Sequence, residues 1–105
     1  MDINAIMQQA QQMQGKVAKI QQDLAKMVIT CSSGGGMVEV RVTGLGEVLS
    51  VKIERQLLAG DEAELLQDLI AAATNDGLRK AKEAGKQAMG QLTHGISIPG
   101  LTNLL

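Results

Sequence analysis

Apolar residues recur every three or four positions through the first quarter of this 105-residue chain. No proline interrupts the stretch, which is rich in Ala, Gln, Met and Lys, all residues that favour helices. Every a and d position of a heptad frame is apolar over more than three heptads, so we expect one long helix over about residues 2–27, capped by Asp2. Its apolar stripe consists of Ile3, Ile6, Ala10, Met13, Val17, Ile20, Leu24 and Met27.

Residues 28–54 predict a three-stranded antiparallel sheet. A β-branched run over 28–32 is followed by a glycine turn over 34–36, which lacks the lysine of a phosphate-binding loop. Two further runs, over 37–43 and 48–53, alternate between apolar and polar residues, as half-buried strands do. Their polar face, which includes Arg41 and Lys52, is expected to be solvated more often than to bind a partner. The apolar faces coincide only if Val38 pairs near Ile53, Val40 near Val51 and Val42 near Leu49.

A second long helix is predicted over about residues 61–89. Asp61 and Glu64 have the spacing of a capping box, and Gly90 offers a stop. Its stripe is mostly Ala and Gly, which permits close packing against another backbone, most simply that of the first helix. Residues 90–105 predict an irregular tail with apolar anchors at Ile96, Ile98 and Leu101. The whole chain, residues 1–105, is therefore expected to be a single α+β domain with the order α-β-β-β-α.

Composition excludes several classes of protein. The chain has no Phe, Trp or Tyr, so it cannot present the aromatic platforms on which single-stranded nucleic acids stack. A single cysteine, Cys31, and a single histidine, His94, support neither an intrachain disulfide nor a zinc site. No catalytic constellation or cofactor motif can be assembled, so we expect no enzyme activity, cofactor, metal or small-molecule substrate. Neither a secretory signal nor a membrane-spanning run is visible, which makes a cytoplasmic location the default expectation.

Charge is segregated along the second helix. Four acidic residues open it, and a basic group near its end includes Arg79, Lys82 and Lys86 at positions i, i+3 and i+7. Alignment with the helix dipole explains this pattern by itself, and from the residues alone it is the favoured interpretation. The alternative is that the basic end touches phosphates, although the net charge of −1 gives no general attraction to nucleic acid.

The predicted lengths of the elements point to an oligomer. Strands of six residues span roughly 20 Å, whereas helices of this length reach about 40 Å, so both helices must extend beyond the sheet. Apolar residues on the overhang would be exposed in a monomer, and a two-fold dimer covers such a surface most simply.

Four stretches together resemble the YbaB/EbfC family of bacterial nucleoid-associated proteins over nearly the whole chain. They are QQAQQMQGKVAKIQQDLAKM, SSGGGMVEVRVTGLGEVLSVKIE, LLQDLIAAATNDGLRKAKE and the tail segment ISIPGL. Three positions depart from the pattern: Cys31 stands where Gly is expected, Arg55 where Pro is common, and Gly77 where Ala is usual. The last of these is expected to loosen the second helix.

The resemblance implies a cytoplasmic, nucleoid-associated homodimer whose long helices project like tweezers and bind duplex DNA. Because duplex affinity comes mostly from neutralising phosphates, Lys and Arg are the candidate contacts, and without aromatic wedges or a helix-turn-helix pattern low sequence specificity is expected. If the two helices run antiparallel, the basic residues of both could lie near one another. The candidate DNA-binding residues are Lys16, Lys19, Lys26, Arg79, Lys80, Lys82 and Lys86.

A second function remains open at this point. The projecting helices could instead present their apolar stripe to a coiled-coil partner, making the chain a protein-interaction module that does not bind DNA. The net charge of −1 slightly favours this alternative, whereas the family resemblance favours DNA.

Overall fold

A computed structural model describes residues 2–93 and shows the predicted order of elements, α-β-β-β-α. The side chain of Asp2 caps the first helix by accepting a hydrogen bond from the amide of Asn4 at 3.0 Å. Single turns of 3-10 helix lie at Gly34–Gly36 and Arg55–Leu58. The helices and strands are α1 (Ile3–Lys26), β1 (Val28–Ser33), β2 (Val38–Thr43), β3 (Val48–Ile53) and α2 (Ala63–Thr93).

Helix α2 differs from its predicted bounds at both ends. It begins at Ala63, and the carbonyl of Glu62 accepts its first backbone hydrogen bond, from Leu66 at 2.9 Å. The helix continues through Gly90 to Thr93. An internal glycine costs a helix only about 1 kcal/mol relative to Ala, so it does not by itself end one. The predicted tail therefore starts later, and its anchors Ile96, Ile98 and Leu101 lie outside the described residues.

The sheet is antiparallel with the order β1-β2-β3. Val38 lies opposite Ile53 and Val40 opposite Val51, as the apolar pattern predicts. The third predicted pairing is wrong by one residue, because Val42 lies opposite Val48. The register shifts between Arg41 and Val42, which makes Leu49 the extra residue of a β-bulge.

The core forms where α2 crosses β1 and β2. Val38, Val40 and Val42 are fully buried, and Ala73 and Ala81 of α2 close over them. The third strand was expected to share this buried face, but on β3 Leu49 is 52% exposed and Val51 43% exposed. A helix is about 10 Å wide and strands lie about 4.8 Å apart, so α2 covers two strands and leaves the edge strand open.

Helix α1 contacts the rest of the described chain through its C-terminal half, from about Lys16 onward. Leu24 is its one buried residue within the described part of the chain, and the Leu24 carbonyl accepts a hydrogen bond from the amide of Gly44 at 2.9 Å. Leu24 shares a groove with Ala81, whereas Lys16 shares one with Leu92 near the end of α2. The two helices therefore run antiparallel, and the first half of α1 extends beyond α2.

Candidate functional site

The candidate basic side chains lie on the paired part of α1 and α2. All seven predicted DNA-binding residues are solvent-exposed, three on α1 and four on α2. Four of them, Lys16, Lys19, Lys82 and Lys86, border grooves beside the line of contact between the helices, where Ile20 and Leu24 of α1 meet the small residues of α2. Small side chains such as Gly85 and Ala88 allow this close approach and leave a groove on each side of the contact.

Two grooves divide the lysines between them. The first, of about 390 Å³, is bordered by Lys16 and Lys19 of α1 and by the last turns of α2; we call it groove 1. The second, of about 330 Å³, is bordered by Lys82 and Lys86 of α2; we call it groove 2. Ile20 and Leu24 line both, so the lysines of the two helices lie on opposite sides of the helix pair rather than in one continuous patch.

Two of the basic residues on α2 are engaged by a carboxylate. Asp76 accepts a hydrogen bond from Arg79, and its other oxygen lies 3.2 Å from the Lys80 ammonium. Glu83 lies 3.6 Å from the Arg79 guanidinium on the following turn. Hydrogen bonds from Arg79 and then Lys80 hold the pKa of the Asp76 carboxyl below its usual value, and the bond to Asp76 raises the pKa of both cations. These two cations therefore carry a local neutralising partner.

The other five candidates have no such partner among the residues that the structure describes. Within residues 2–93 no carboxylate lies within ion-pairing distance of these lysines. Counting charges along α2 does not distinguish the paired cations from the unpaired ones. The sequence nevertheless indicates the pairing, because Asp76 precedes Arg79 by three residues and Lys80 by four, the spacings at which side chains on a helix form ion pairs. The unpaired candidates are Lys16, Lys19, Lys26, Lys82 and Lys86.

The polar face of the sheet offers less free positive charge. Arg41 pairs with Glu39 at 3.3 Å, and Lys52 stands opposite Glu39 on the neighbouring strand. The three side chains together carry one net positive charge, less than that of the five lysines on the helix pair that have no carboxylate partner within residues 2–93. The helix pair is therefore the more positive of the two surfaces.

The remaining residues that could act in catalysis or bind a metal form no site within the described part of the chain. Cys31 is 3% exposed and belongs to the interior of the sheet, and His94 lies outside the described residues. Residues 2–93 bring no three His, Cys, Asp or Glu side chains together in a way that could hold a metal ion. None of the described helices is long and apolar enough to cross a membrane.

Exposed apolar side chains form a second kind of surface. Along the open edge strand, Val48, Leu49 and Val51 are each more than two-fifths exposed. Leu45, in the turn before β3, is also exposed. Large exposed aliphatic groups on an edge strand are typical of a surface that another chain covers.

Comparison with known proteins identifies the family. A nucleoid-associated protein of Desulfotalea psychrophila is 64% identical over 105 residues, covering 100% of this chain and 99% of its own. Relatives from Syntrophobacter fumaroxidans (52% identity, 90% of this chain and 86% of that one) and Legionella pneumophila (44%, 94% and 91%) are also named nucleoid-associated proteins. An uncharacterized protein of Helicobacter pylori shares the fold, with a TM-score of 0.81 and 28% identity over 88% of this chain and 97% of that one. The model of the YbaB/EbfC DNA-binding family matches residues 1–96, and the chain belongs to that family.

Proposed function

We propose that the protein binds duplex DNA as a homodimer with low sequence specificity, mainly through phosphate contacts from the unpaired lysines of α1 and α2. The observation that carries the proposal is a set of five exposed lysines along the helix pair of a DNA-binding family member, none of which has a carboxylate partner within residues 2–93. Phosphates of DNA would supply the negative charge that no carboxylate within residues 2–93 supplies to these ammonium groups. Arg79 and Lys80 belong to the same candidate set but contribute less, because Asp76 and Glu83 already pair with them.

Low specificity follows from the kind of side chains available. Base recognition needs an element that enters a groove of the duplex or a side chain that intercalates, whereas lysine at a phosphate carries no sequence information. The chain has no aromatic residue, and α1 leads into a strand rather than into the turn and recognition helix of a helix-turn-helix. Binding should therefore be nearly uniform across sequences and strongly dependent on salt.

The open edge of the sheet supports the homodimer. A second copy placed against β3 would cover Leu49 and Val51 and give the edge strand a partner. The same two-fold arrangement doubles the number of lysines available to one length of DNA. Two sets of projecting helices on one dimer can contact the duplex at two places, which would alter its path and influence gene expression. The corresponding location is the nucleoid, in the cytoplasm.

A mobility-shift titration at two salt concentrations tests the proposal. Replacing Lys82 and Lys86 with Glu should weaken binding to duplexes of unrelated sequence by the same factor. Each lost phosphate contact should also reduce the slope of log K against log salt by roughly 0.9. Lys52→Glu on the polar sheet face is the control and should have a smaller effect.

Two results would count against the proposal. Unchanged affinity and salt slope in the double variant would show that the basic end of α2 only compensates the helix dipole. The DNA contacts would then have to be sought at Lys16, Lys19 and Lys26. No binding by the parent protein at low salt would favour the alternative function, in which the helices present their apolar stripe to a protein.

A further inference from the structure

Arg79 lies between two carboxylates of its own helix. Asp76, one turn before it, accepts a hydrogen bond from one terminal nitrogen of the guanidinium, and Glu83, one turn after it, lies 3.6 Å from the other. The Arg79 side chain is 64% exposed, so water and ligands can reach it. A guanidinium binds carboxylates and phosphates through the same fork of N–H donors. A phosphate of DNA would therefore compete with these two acids for the same atoms.

Asp76 is held in place on several sides. Its side chain is 31% exposed, against 60% for that of Glu83, and its second oxygen lies 3.2 Å from the Lys80 ammonium. Arg79, then Lys80, and to a smaller degree the buried Cys31 thiol of β1 hold the pKa of this carboxyl below its usual value. Asp76 is therefore charged at neutral pH and competes for Arg79 under the conditions in which DNA binds.

Arg79 would otherwise begin a row of cations on α2. Lys82 and Lys86 follow it at positions i+3 and i+7, so the three side chains share one stripe about 10 Å long. Lys80 is turned by about 100° from Arg79 and lies beside this row rather than in it. A duplex carries one negative charge per roughly 1.7 Å of its axis, so a row of this length can meet several phosphates. Arg79 differs from the two lysines in having carboxylate partners within residues 2–93.

We propose that Asp76 and Glu83 withhold Arg79 from DNA, so that this row contacts the duplex with two cations instead of three. The inference rests on the proposed function, because it takes Lys82 and Lys86 as phosphate contacts. A guanidinium that already has two partners gains little when it exchanges one of them for a phosphate, since the carboxylate that it leaves loses its own partner. The two acids thus act through Arg79 and set the affinity below the value that the basic residues of α2 could reach.

Removing the two negative charges tests the proposal. Asp76→Asn with Glu83→Gln, the site variant, keeps the size of both side chains. Glu64→Gln with Asp68→Asn, the control variant, removes the same two charges from exposed positions of the same helix, and neither of these acids pairs with a cation within residues 2–93. Asn and Gln have helix propensities close to those of Asp and Glu, and circular dichroism confirms that the helices persist.

Mobility-shift titrations at two salt concentrations compare the variants. The site variant should bind duplexes of unrelated sequence about fourfold more tightly than the control variant, because each of the two exposed ion pairs of Arg79 is worth about a factor of two. The slope of log K against log salt should become steeper by roughly 0.9, the contribution of one further phosphate contact. A change in helix stability alone would not alter this slope.

An Arg79→Gln background separates the release of Arg79 from a general gain in positive charge. If the acids act through Arg79, the site and control substitutions should give equal affinities in this background. A gain from the site substitutions that persists without Arg79 would overturn the proposal, because it would come from the electrostatic field of the acids or from the release of Lys80.

The remaining outcomes separate this inference from the proposed function. If the parent binds DNA and the site variant binds no more tightly than the control variant, with the same salt slope, the inference is overturned and the proposed function stands. Binding by neither the parent nor the variants at low salt would overturn both.

Discussion

At the residue scale, neighbouring positions on β2 have opposite environments. Val40 is fully buried between Cys31 and Val51 of the adjacent strands, whereas the side chain of Arg41 is exposed and pairs with Glu39. Alternation along a strand produces this difference, because successive side chains point to opposite faces. The consequence of a charge therefore depends on which of two adjacent positions carries it.

We predict that Val40→Asp prevents folding, whereas Arg41→Ala changes stability little. An unpaired carboxylate in the core costs several kcal/mol, a large part of the roughly 5–15 kcal/mol available to a small domain. An exposed ion pair such as Arg41–Glu39 contributes about 1 kcal/mol or less. Thermal unfolding followed by circular dichroism measures both variants. Similar midpoints would show that the two faces of β2 have been assigned incorrectly.

The pairing of cations with Asp76 leads to a second prediction at this scale. Arg79→Gln with Lys80→Gln and Lys82→Gln with Lys86→Gln remove the same formal charge from the same helix. The second pair should weaken duplex binding more and reduce the salt slope more, because its lysines have no carboxylate partner within residues 2–93. Mobility-shift titrations of both variants make the comparison. Equal losses would indicate that Asp76 releases its partners when DNA binds.

At the scale of elements, two glycines determine how closely the helices approach the sheet. A Cβ on Gly77 of α2 would lie 3.3 Å from both methyl groups of Val42. A Cβ on Gly44 would lie 2.8 Å from the carbonyl oxygen of Leu24. Gly77, which the family comparison of residues predicts to loosen α2, occupies a buried position where little room remains for a larger side chain.

A double-mutant cycle tests the packing of α2 on β2. Gly77→Ala improves helix propensity by about 1 kcal/mol but crowds Val42. In a Val42→Ala background the crowding disappears, so Gly77→Ala should be more favourable there than in the parent. Urea unfolding of the parent, the two single variants and the double variant measures the effect of Gly77→Ala on stability in each background. Equal effects in both backgrounds would show that Val42 moves aside without cost.

The junction between α1 and the sheet gives another prediction. Gly44→Ala should destabilise the protein by more than about 1 kcal/mol, because the clash is with backbone, which yields less easily than a side chain. Gly60→Ala is the matched control, since a Cβ there meets nothing within 4 Å and removing a glycine restricts the unfolded chain. The free energies of unfolding of the Gly44→Ala and Gly60→Ala variants test this prediction. Comparable values would mean that α1 shifts freely on the sheet.

At the scale of the whole molecule, one helix layer is too narrow for the sheet that it covers. Helix α2 packs on β1 and β2, so the apolar residues of β3 remain open in the single chain. The first half of α1 is open as well. Covering such surfaces would stabilise the protein, because aliphatic side chains gain free energy when they leave water.

We predict that the protein sediments at twice its chain mass of 11.1 kDa at micromolar concentration. Leu49→Lys with Val51→Lys should shift it towards the monomer, because both side chains are about half exposed in the single chain and their charges would oppose a second copy at β3. Leu58→Lys with Leu65→Lys, two exposed residues that are not part of β3, is the control. Interference optics are required, because the chain has neither Trp nor Tyr. A parent that sediments as a monomer would contradict the dimer.

The sequence by itself determined the order of the elements, the apolar stripe of α1 and the alternation that pairs Val40 with Val51. Each of these features is encoded by residues a few positions apart, so the periodicity of apolar residues and the turn residues are enough to predict it. The tertiary structure alone decided the bulge at Leu49, the exposure of β3 and the separation of the lysines into two grooves. Those features depend on the width of α2 relative to the sheet and on the approach of Leu24 to Gly85, which lie far apart in the chain. Local pattern carries no information about such distances, because they are set by how whole elements pack together.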